Sequence, residues 1–132
     1  MIYTKYPYLA DEEDFDKLRK EGVIISKIEL AETLDYNDLP QKFGNEGEEH
    51  RALKKLGYYL LKQQGAIDAK FENYSIDVSS RNLHVAIECG DTQFFRVCFL
   101  LFNHPCSEWI KELWCIYVNE GKKVEIVKFI KS

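Results

Sequence analysis

Glu49 is a candidate for chemistry because it is a charged residue on an apolar helical face. At 3.6 residues per turn Ala52, Leu53, Leu56 and Leu60 form a stripe about 100° wide, and Glu49 projects to its centre. Burying an ionised carboxylate costs several kcal/mol unless a cation or strong donors compensate it. We therefore expect Glu49 to meet a cation on the core side of its helix. A plain acid favoured by the dipole of a helix N-terminus is the alternative interpretation.

Asp77 and Glu88 are two further carboxylates, and strand alternation can place them on one side of a sheet. If Arg81 and Asn82 form a two-residue turn, Asp77 lies opposite Ala86 and diagonal to Glu88, with Cβ atoms roughly 7–8 Å apart. Carboxylates at that spacing can share one ion bound at about 2.0–2.1 Å, together with several waters. This is the oxygen-ligand chemistry of Mg²⁺.

The elements that must position these acids follow from hydrophobic periodicity and turn residues. The pattern predicts two helices before position 65, one short and one long, with a strand between them. Three strands, a buried helix capped by Asp91 or Thr92, and a closing hairpin then follow. The predicted ranges are 12–20 and 48–64 for the first helices, 23–30 for the first strand, 70–72, 74–79 and 83–88 for the next strands, about 92–103 for the buried helix, and 114–118 and 124–130 for the hairpin. The fold class is therefore α/β.

At the three acids the sequence resembles a known family, the PD-(D/E)XK nucleases. The residues that carry the resemblance are Glu-Glu-His-Arg-Ala-Leu-Lys-Lys-Leu-Gly-Tyr-Tyr-Leu-Leu, then Ser-Ile-Asp-Val, then Val-Ala-Ile-Glu-Cys-Gly. They match the helix glutamate, the strand aspartate and the E-x-K segment of this family, which includes restriction enzymes and Holliday-junction resolvases. The resemblance covers about 46–118 and implies a restriction endonuclease-like αβββαβ core, with a mixed central sheet flanked by helices.

The resemblance also implies a metal site. It makes Asp77 and Glu88 ligands of Mg²⁺ or Mn²⁺, and Glu49 a ligand or a water-orienting carboxylate. The backbone carbonyl of Cys89, the middle position of E-x-K, would be a further ligand.

Gly90 departs from the family pattern, because it stands where lysine usually orients the attacking water and offsets charge on the phosphate. Arg96, isolated among apolar residues, is the first candidate for a replacement, and Gln93 is the second because it lies three positions away on a helix. Arg96 could equally be a side chain that reaches solvent from a buried helix. Lys54 is expected on a solvated outer face with Arg51, Lys55 and Lys62, and contact of these residues with phosphates is the alternative. His50 and His84 are expected at the surface, and a role in orienting the metal ligands is the alternative for His84, which shares the strand face of Glu88.

Three functions compete. The first is a metal-dependent nuclease acting on DNA or RNA, in which Glu49, Asp77, Glu88 and Arg96 are catalytic. The second is a catalytically inactive protein of the same fold that binds nucleic acid or protein. The third is an interaction protein unrelated to nucleases, which uses Tyr3, Tyr6 and Tyr8 at a protein interface.

Length and composition bound these functions. A chain of 132 residues, 45% apolar, is enough for one domain, which we divide at the turn-prone stretch 39–47 into an N-terminal extension, 1–45, and a core, 46–132. The net charge is −4, but residues 1–50 carry 13 acidic and 6 basic side chains, whereas residues 51–132 carry 9 and 12. The core is therefore compatible with a nucleic-acid partner despite the acidic total, and DNA is the partner that we expect.

The remaining sequence features concern the setting of the protein. The chain lacks a membrane-length apolar run and a secretory signal, so we expect a cytoplasmic protein with no membrane partner. The four cysteines have no zinc-finger spacing, and we expect reduced core thiols. Many proteins of the resembled family are dimers, so a homodimer is a further expectation.

Overall fold

The fold was analysed in a computed structural model that describes residues 12–90 and 92–132. Tyr3, Tyr6, Tyr8 and Asp91 lie outside these residues. In chain order the elements are α1 (Glu12–Lys20), β1 (Val23–Glu29), α2 (Glu48–Gln63), β2 (Lys70–Asn73), β3 (Ile76–Ser80), β4 (Val85–Cys89), α3 (Phe94–Cys98), β5 (Glu112–Val118) and β6 (Val124–Lys131). Helix α3 continues into a π-helical turn, Phe99–Asn103.

The strands form one mixed sheet in the order β1-β6-β5-β4-β3-β2. Strands β4 and β5 are parallel, and the other neighbours are antiparallel. A parallel pair needs a crossover connection, which α3 and the segment after it provide. The predicted α/β class is confirmed. The segment predicted as an N-terminal extension contributes β1, which is at the edge of the sheet formed by the described residues and pairs with β6 along its whole length.

Both faces of the sheet are covered by helices. Leu53 and Leu61 of α2 pack with Val78, Ile87 and Trp114 on one face. On the other face a second apolar cluster joins α1, α3 and the π-helical turn to β5 and β6, and its members include Phe15, Leu18, Val97, Leu100 and Phe129. The ends of β3 and β4 therefore lie between α2 on one side and α3 on the other.

Gly57 lets α2 approach β4 closely. A Cβ atom at this position would lie 3.3 Å from Cδ1 and 3.4 Å from Cγ2 of Ile87, which is fully buried. Contacts this short are tighter than ordinary packing, so a side chain would push the helix from the strand. His50 and Lys54 share the helical face of Gly57 and are brought to the sheet with it.

Helix α3 differs from the sequence prediction in two respects. It begins at Phe94, with Gln93 rather than Thr92 at the N-cap position and without a side-chain capping bond. It was expected to be buried on nearly every side, yet 73% of Phe95 is exposed and Phe99 and Phe102 are also exposed. The prediction failed because one side of this helix is left without a neighbouring element among the described residues.

The four cysteines are free thiols, and Cys89, Cys106 and Cys115 are buried, as the sequence predicted. Within the described ranges, the helices are all too short or too polar to span a lipid bilayer.

Candidate functional site

Asp77 and Glu88 meet at one edge of the sheet, where β3 begins and β4 ends. Val78 pairs with Ile87 and Ser80 with Val85, so the turn contains four residues, 81–84, instead of the two that were predicted. The predicted register is wrong by two residues, and Asp77 lies opposite Glu88 rather than opposite Ala86. A shift of two preserves the strand face, so the predicted meeting of the two acids survives the error.

The two carboxylates are interlocked by backbone hydrogen bonds. The Asp77 N–H donates to Glu88 Oε2 at 3.2 Å, and the Cys89 N–H donates to Asp77 Oδ2 at 2.8 Å. Each side chain therefore reaches across to the other strand. The Cys89 backbone, which was predicted to supply a carbonyl ligand, lies directly at this contact.

Glu88 is buried and forms an ion pair with Arg96 of α3. It is 8% exposed, and its Oε1 accepts a 2.9 Å hydrogen bond from Arg96 Nε. Arg96 also donates from Nη2 to the carbonyl of Ser75 at 2.7 Å. Burial, followed by the charge of Asp77, raises the pKa of Glu88 to about 7, although Arg96 opposes the shift. Arg96, predicted to replace the missing lysine, thus uses two of its donors to hold Glu88 and the turn that precedes β3.

His50 approaches the cluster from α2. Its Nε2 lies 3.4 Å from Asp77 Oδ1 and 3.2 Å from Glu46 Oε2, and its side chain is 29% exposed. The hydrogen bond to Asp77 raises the pKa of His50 above its ordinary value. His50 was expected at the surface and is partly exposed, but the close packing of α2 at Gly57 also brings this first helical turn to the start of β3.

Gly90 adopts a left-handed backbone conformation, with φ +81°. Side chains of L-residues rarely occupy this region, so a lysine at this position would be strained. Space alone does not exclude a side chain, since a Cβ would lie 3.5 Å from His50 Nδ1. His50 therefore borders the place where the side chain of the family's lysine would begin.

Lys54 is fully buried, which contradicts its predicted place on a solvated face. Its Nζ lies 3.2 Å from Glu46 Oε1 and 3.6 Å from Glu72 Oε1. The ammonium also stands 4.8 Å from the ring centroid of Phe43, a cation–π geometry. The segment before α2 and the end of β2 thus cover Lys54, a helical position that periodicity alone predicts to be exposed.

Glu49 is exposed and does not face the core as predicted. It lines a surface groove with Tyr36, Lys122 and Lys123. The acid that accompanies His50 and Lys54 is Glu46, which precedes the helix. The sequence contains a signal for this arrangement, because positions 46, 50 and 54 repeat at a spacing of four residues.

The charges of the cluster suit a divalent cation. Four carboxylates, Glu46, Glu72, Asp77 and Glu88, face two permanent cations, Lys54 and Arg96, which leaves a formal charge of −2 when all four carboxylates are ionised and His50 is neutral. Carboxylate oxygens are the ligands that Mg²⁺ and Mn²⁺ prefer. In the part of the chain that the structure describes, no three His, Cys, Asp or Glu side chains converge as a formed metal site. A cation at Asp77 and Glu88 would compete with the donors already bound there.

Comparison with known proteins identifies no relative of this chain. No family model matches the sequence, and neither curated proteins nor solved structures include a significant match. The fold and site define a mixed α/β protein with a half-buried carboxylate cluster at the end of two antiparallel strands.

Proposed function

We propose that this chain is a metal-dependent nuclease that hydrolyses phosphodiester bonds in DNA, on a restriction endonuclease-like αβββαβ core. The observation that carries the proposal is the direct cross-strand contact of Asp77 and Glu88, each bonded to the other's backbone segment. Asp77, Glu88 and the Cys89 carbonyl are the proposed ligands of Mg²⁺ or Mn²⁺. The excess negative charge around them supports a divalent ion in this position.

A bound metal would lower the pKa of a water molecule and stabilise negative charge on the phosphate. Arg96 acts as a positioning residue in this proposal. By holding Glu88 Oε1 and the Ser75 carbonyl, it fixes α3, Glu88 and the entry of β3 relative to one another. Its donors to these two oxygens argue against the earlier hypothesis that it directly replaces the lysine.

His50 is the group best placed to accept the proton of the attacking water. It is partly exposed, it is oriented through Nε2 by Asp77 and Glu46, and it borders the space at Gly90. As the water oxygen forms its bond to phosphorus, its proton passes to His50. The bond from phosphorus to the leaving oxygen breaks, and that oxygen takes a proton from solvent.

The test is cleavage of supercoiled plasmid, linear duplex, single-stranded DNA and RNA with Mg²⁺, with Mn²⁺ and with EDTA. We expect metal-dependent cleavage of DNA that Asp77→Asn and Glu88→Gln abolish. His50→Gln should reduce the rate about 100-fold, the lower range for loss of a general base. Glu120→Gln removes an exposed acid in the β5–β6 turn and serves as the matched control.

Cleavage that persists in Asp77→Asn, with or without metal, would contradict this site. A folded wild-type protein that cleaves none of the four substrates in either metal would contradict the nuclease proposal itself.

A catalytically inactive nuclease-fold protein that binds nucleic acid is the second candidate. Two observations favour it: Gly90 has no side chain where the family has lysine, and the oxygens of Asp77 and Glu88 already have donors within the chain. This candidate predicts DNA binding without hydrolysis, and binding that Asp77→Asn leaves intact.

A further inference from the structure

Three exposed aromatic residues lie next to the residues that hold Glu88: Tyr74 precedes Ser75, Phe95 precedes Arg96, and the Phe99 ring packs near the Arg96 guanidinium. Tyr74 is 62% exposed, Phe95 is 73% exposed, and Phe99 is also exposed. Phe95 and Phe99 are four positions apart, the spacing of one helical face. We call Tyr74, Phe95 and Phe99 the aromatic rim. Arg96 joins the rim to the cluster, because it contacts Glu88 and also the carbonyl of Ser75, next to Tyr74.

The rim is held in place by contacts between the β2–β3 turn and the π-helical turn. His104 Nε2 lies 3.1 Å from the carbonyl oxygen of Tyr74, and the His104 ring meets the Phe99 ring edge-on with centroids 5.3 Å apart. The Arg96 guanidinium also lies 5.8 Å from the Phe99 ring centroid. The Phe99 ring, which is held by these two contacts, loses little conformational freedom when a ligand binds.

The backbone around Tyr74, from the end of β2 into the β2–β3 turn, is strained. Glu72, Tyr74 and Ser75 have φ values of 52°, 56° and 63°, although none is glycine. Bulky residues seldom adopt this conformation, and such strain concentrates at functional sites. The π-helical turn next to it is a second irregularity of the kind found at such sites. Both irregular segments support exposed rings.

Two cations lie on the other side of Tyr74. A polar cavity of about 150 Å³ is lined by Tyr74 together with the cations Lys70 and Arg81 and one acid, Asp68, whose carboxylate is held by Ser80 and the Asn82 N–H. Lys70 and Arg81 are exposed. Arg96 and Ser75 therefore connect Glu88 to Tyr74, which lines a cavity where two cations outnumber one acid, in a molecule whose net charge is negative.

We propose that the aromatic rim and the cavity at Lys70 and Arg81 form a binding track for single-stranded DNA. The inference rests on the proposed function, since the track leads an unpaired strand to Asp77 and Glu88. Unpaired bases expose flat faces that stack on aromatic rings, while Lys70 and Arg81 bind the phosphates. A duplex does not fit this surface, because its bases are stacked on one another and paired.

The test measures binding by fluorescence polarisation in EDTA, which separates it from metal-dependent cleavage. One labelled DNA strand, its duplex and the RNA of the same sequence are the probes. We expect the wild type to prefer the DNA strand, and Tyr74→Ala and Phe95→Ala each to weaken its binding about tenfold. Tyr74→Phe keeps the ring and should bind like the wild type. Tyr59→Ala is the matched control, since Tyr59 is 51% exposed and lies on α2.

Replacing both cations, Lys70→Gln with Arg81→Gln, should reduce the slope of log affinity against log salt by about 1.4, the value for two phosphates of a single strand. Circular dichroism melting verifies that each variant is folded. Equal affinity for strand and duplex, tighter binding of RNA, no nucleic-acid binding, or equal losses in Tyr59→Ala and Tyr74→Ala would each overturn the track.

The two proposals fail in different ways. Metal-dependent cleavage together with Tyr74→Ala binding equal to wild type overturns the track and leaves the nuclease in place. Strand binding that depends on Tyr74, without cleavage in any metal, overturns the nuclease and leaves the track in place.

Discussion

The residues around Asp77 show which parts of a site can be read from a sequence. Alternation along two strands was sufficient to place Asp77 and Glu88 together, because that pattern is local. Lys54 was missed because its partners, Glu46 and Glu72, come from a loop and from the far end of β2. Their approach depends on tertiary structure, which helical periodicity does not contain.

Lys54→Met should destabilise the protein by about 3 kcal/mol at pH 7, because it leaves carboxylates without their buried partner. Urea unfolding measures this loss. Lys55→Met is the matched control: Lys55 is the next residue and bonds the exposed Asp35 and the Asn37 carbonyl at the surface, so its loss should cost much less than the loss of Lys54. Equal effects of the two substitutions would contradict the buried role of Lys54.

The loss in Lys54→Met should also depend on pH. Burial raises the pKa of Glu72, and the charge of Lys54 opposes this shift. Without Lys54 the folded-state pKa rises further above the unfolded value, so the penalty is absent below the unfolded pKa and grows as pH rises through the folded pKa. The stability difference from wild type should therefore shrink between pH 7 and pH 4. A constant difference would exclude Glu72 as the cause.

Glu46 and Glu49 offer a matched pair of substitutions three positions apart. If the nuclease proposal is right, Glu46→Gln should slow cleavage more than Glu49→Gln, because Glu46 contacts His50 and Lys54 whereas Glu49 lies in an exposed groove. Initial rates on one DNA substrate, under identical metal concentrations, give the comparison. A greater loss in Glu49→Gln would restore the original prediction for the helix acid.

Elements were predicted more accurately than the turns between them. Helix α1 and the hairpin strands were found near their predicted bounds, whereas the β3–β4 turn is two residues longer than expected. Asp68 helps to hold this longer turn, accepting hydrogen bonds from Ser80 Oγ at 2.6 Å and from the Asn82 N–H at 3.0 Å. No local pattern at Arg81 and Asn82 reveals a partner that lies before β2.

The contact of α2 with β4 predicts an unusual response to alanine. In an exposed helix Gly→Ala stabilises by about 1 kcal/mol, but Gly57→Ala would press on the buried side chain of Ile87. We expect a net loss of about 1 kcal/mol and a lower Tm, because overpacking costs about 1–3 kcal/mol.

Ile87→Val removes Cδ1, the nearest atom to the added methyl group. The double variant should therefore be more stable than the sum of the single effects. An increase in Tm for Gly57→Ala alone would show that α2 can shift without cost.

At the scale of the whole fold, the class could be predicted from the sequence, but the arrangement of the strands could not. The α/β class followed from the order of patterns, but the position of β1 did not, because its pairing with β6 joins Val23 to Lys131 across most of the chain. The charge distribution likewise indicated that the core is compatible with a nucleic-acid partner, but it did not show where the basic side chains lie. Lys70 and Arg81 meet at one cavity only because β2 and the β3–β4 turn are adjacent in the folded chain.

Metal binding should be visible in the stability of the whole molecule. A ligand that binds the native state adds about 2.7 kcal/mol at 100 times its Kd, so Mn²⁺ or Mg²⁺ should raise Tm by several degrees. Asp77→Asn should abolish this increase, while Glu120→Gln should keep it. A metal-induced increase that survives Asp77→Asn would assign the ion to another site.

The edge position of β1 has a consequence for synthesis. A ribosome releases β1 well before β6, its hydrogen-bonded neighbour in the described sheet. Until β6 emerges, the nascent Val23–Glu29 segment, with isoleucines at 24, 25 and 28, has no strand to pair with and is open to wrong partners. The nascent chain should therefore need protection by chaperones until β6 has left the exit tunnel and can pair with β1.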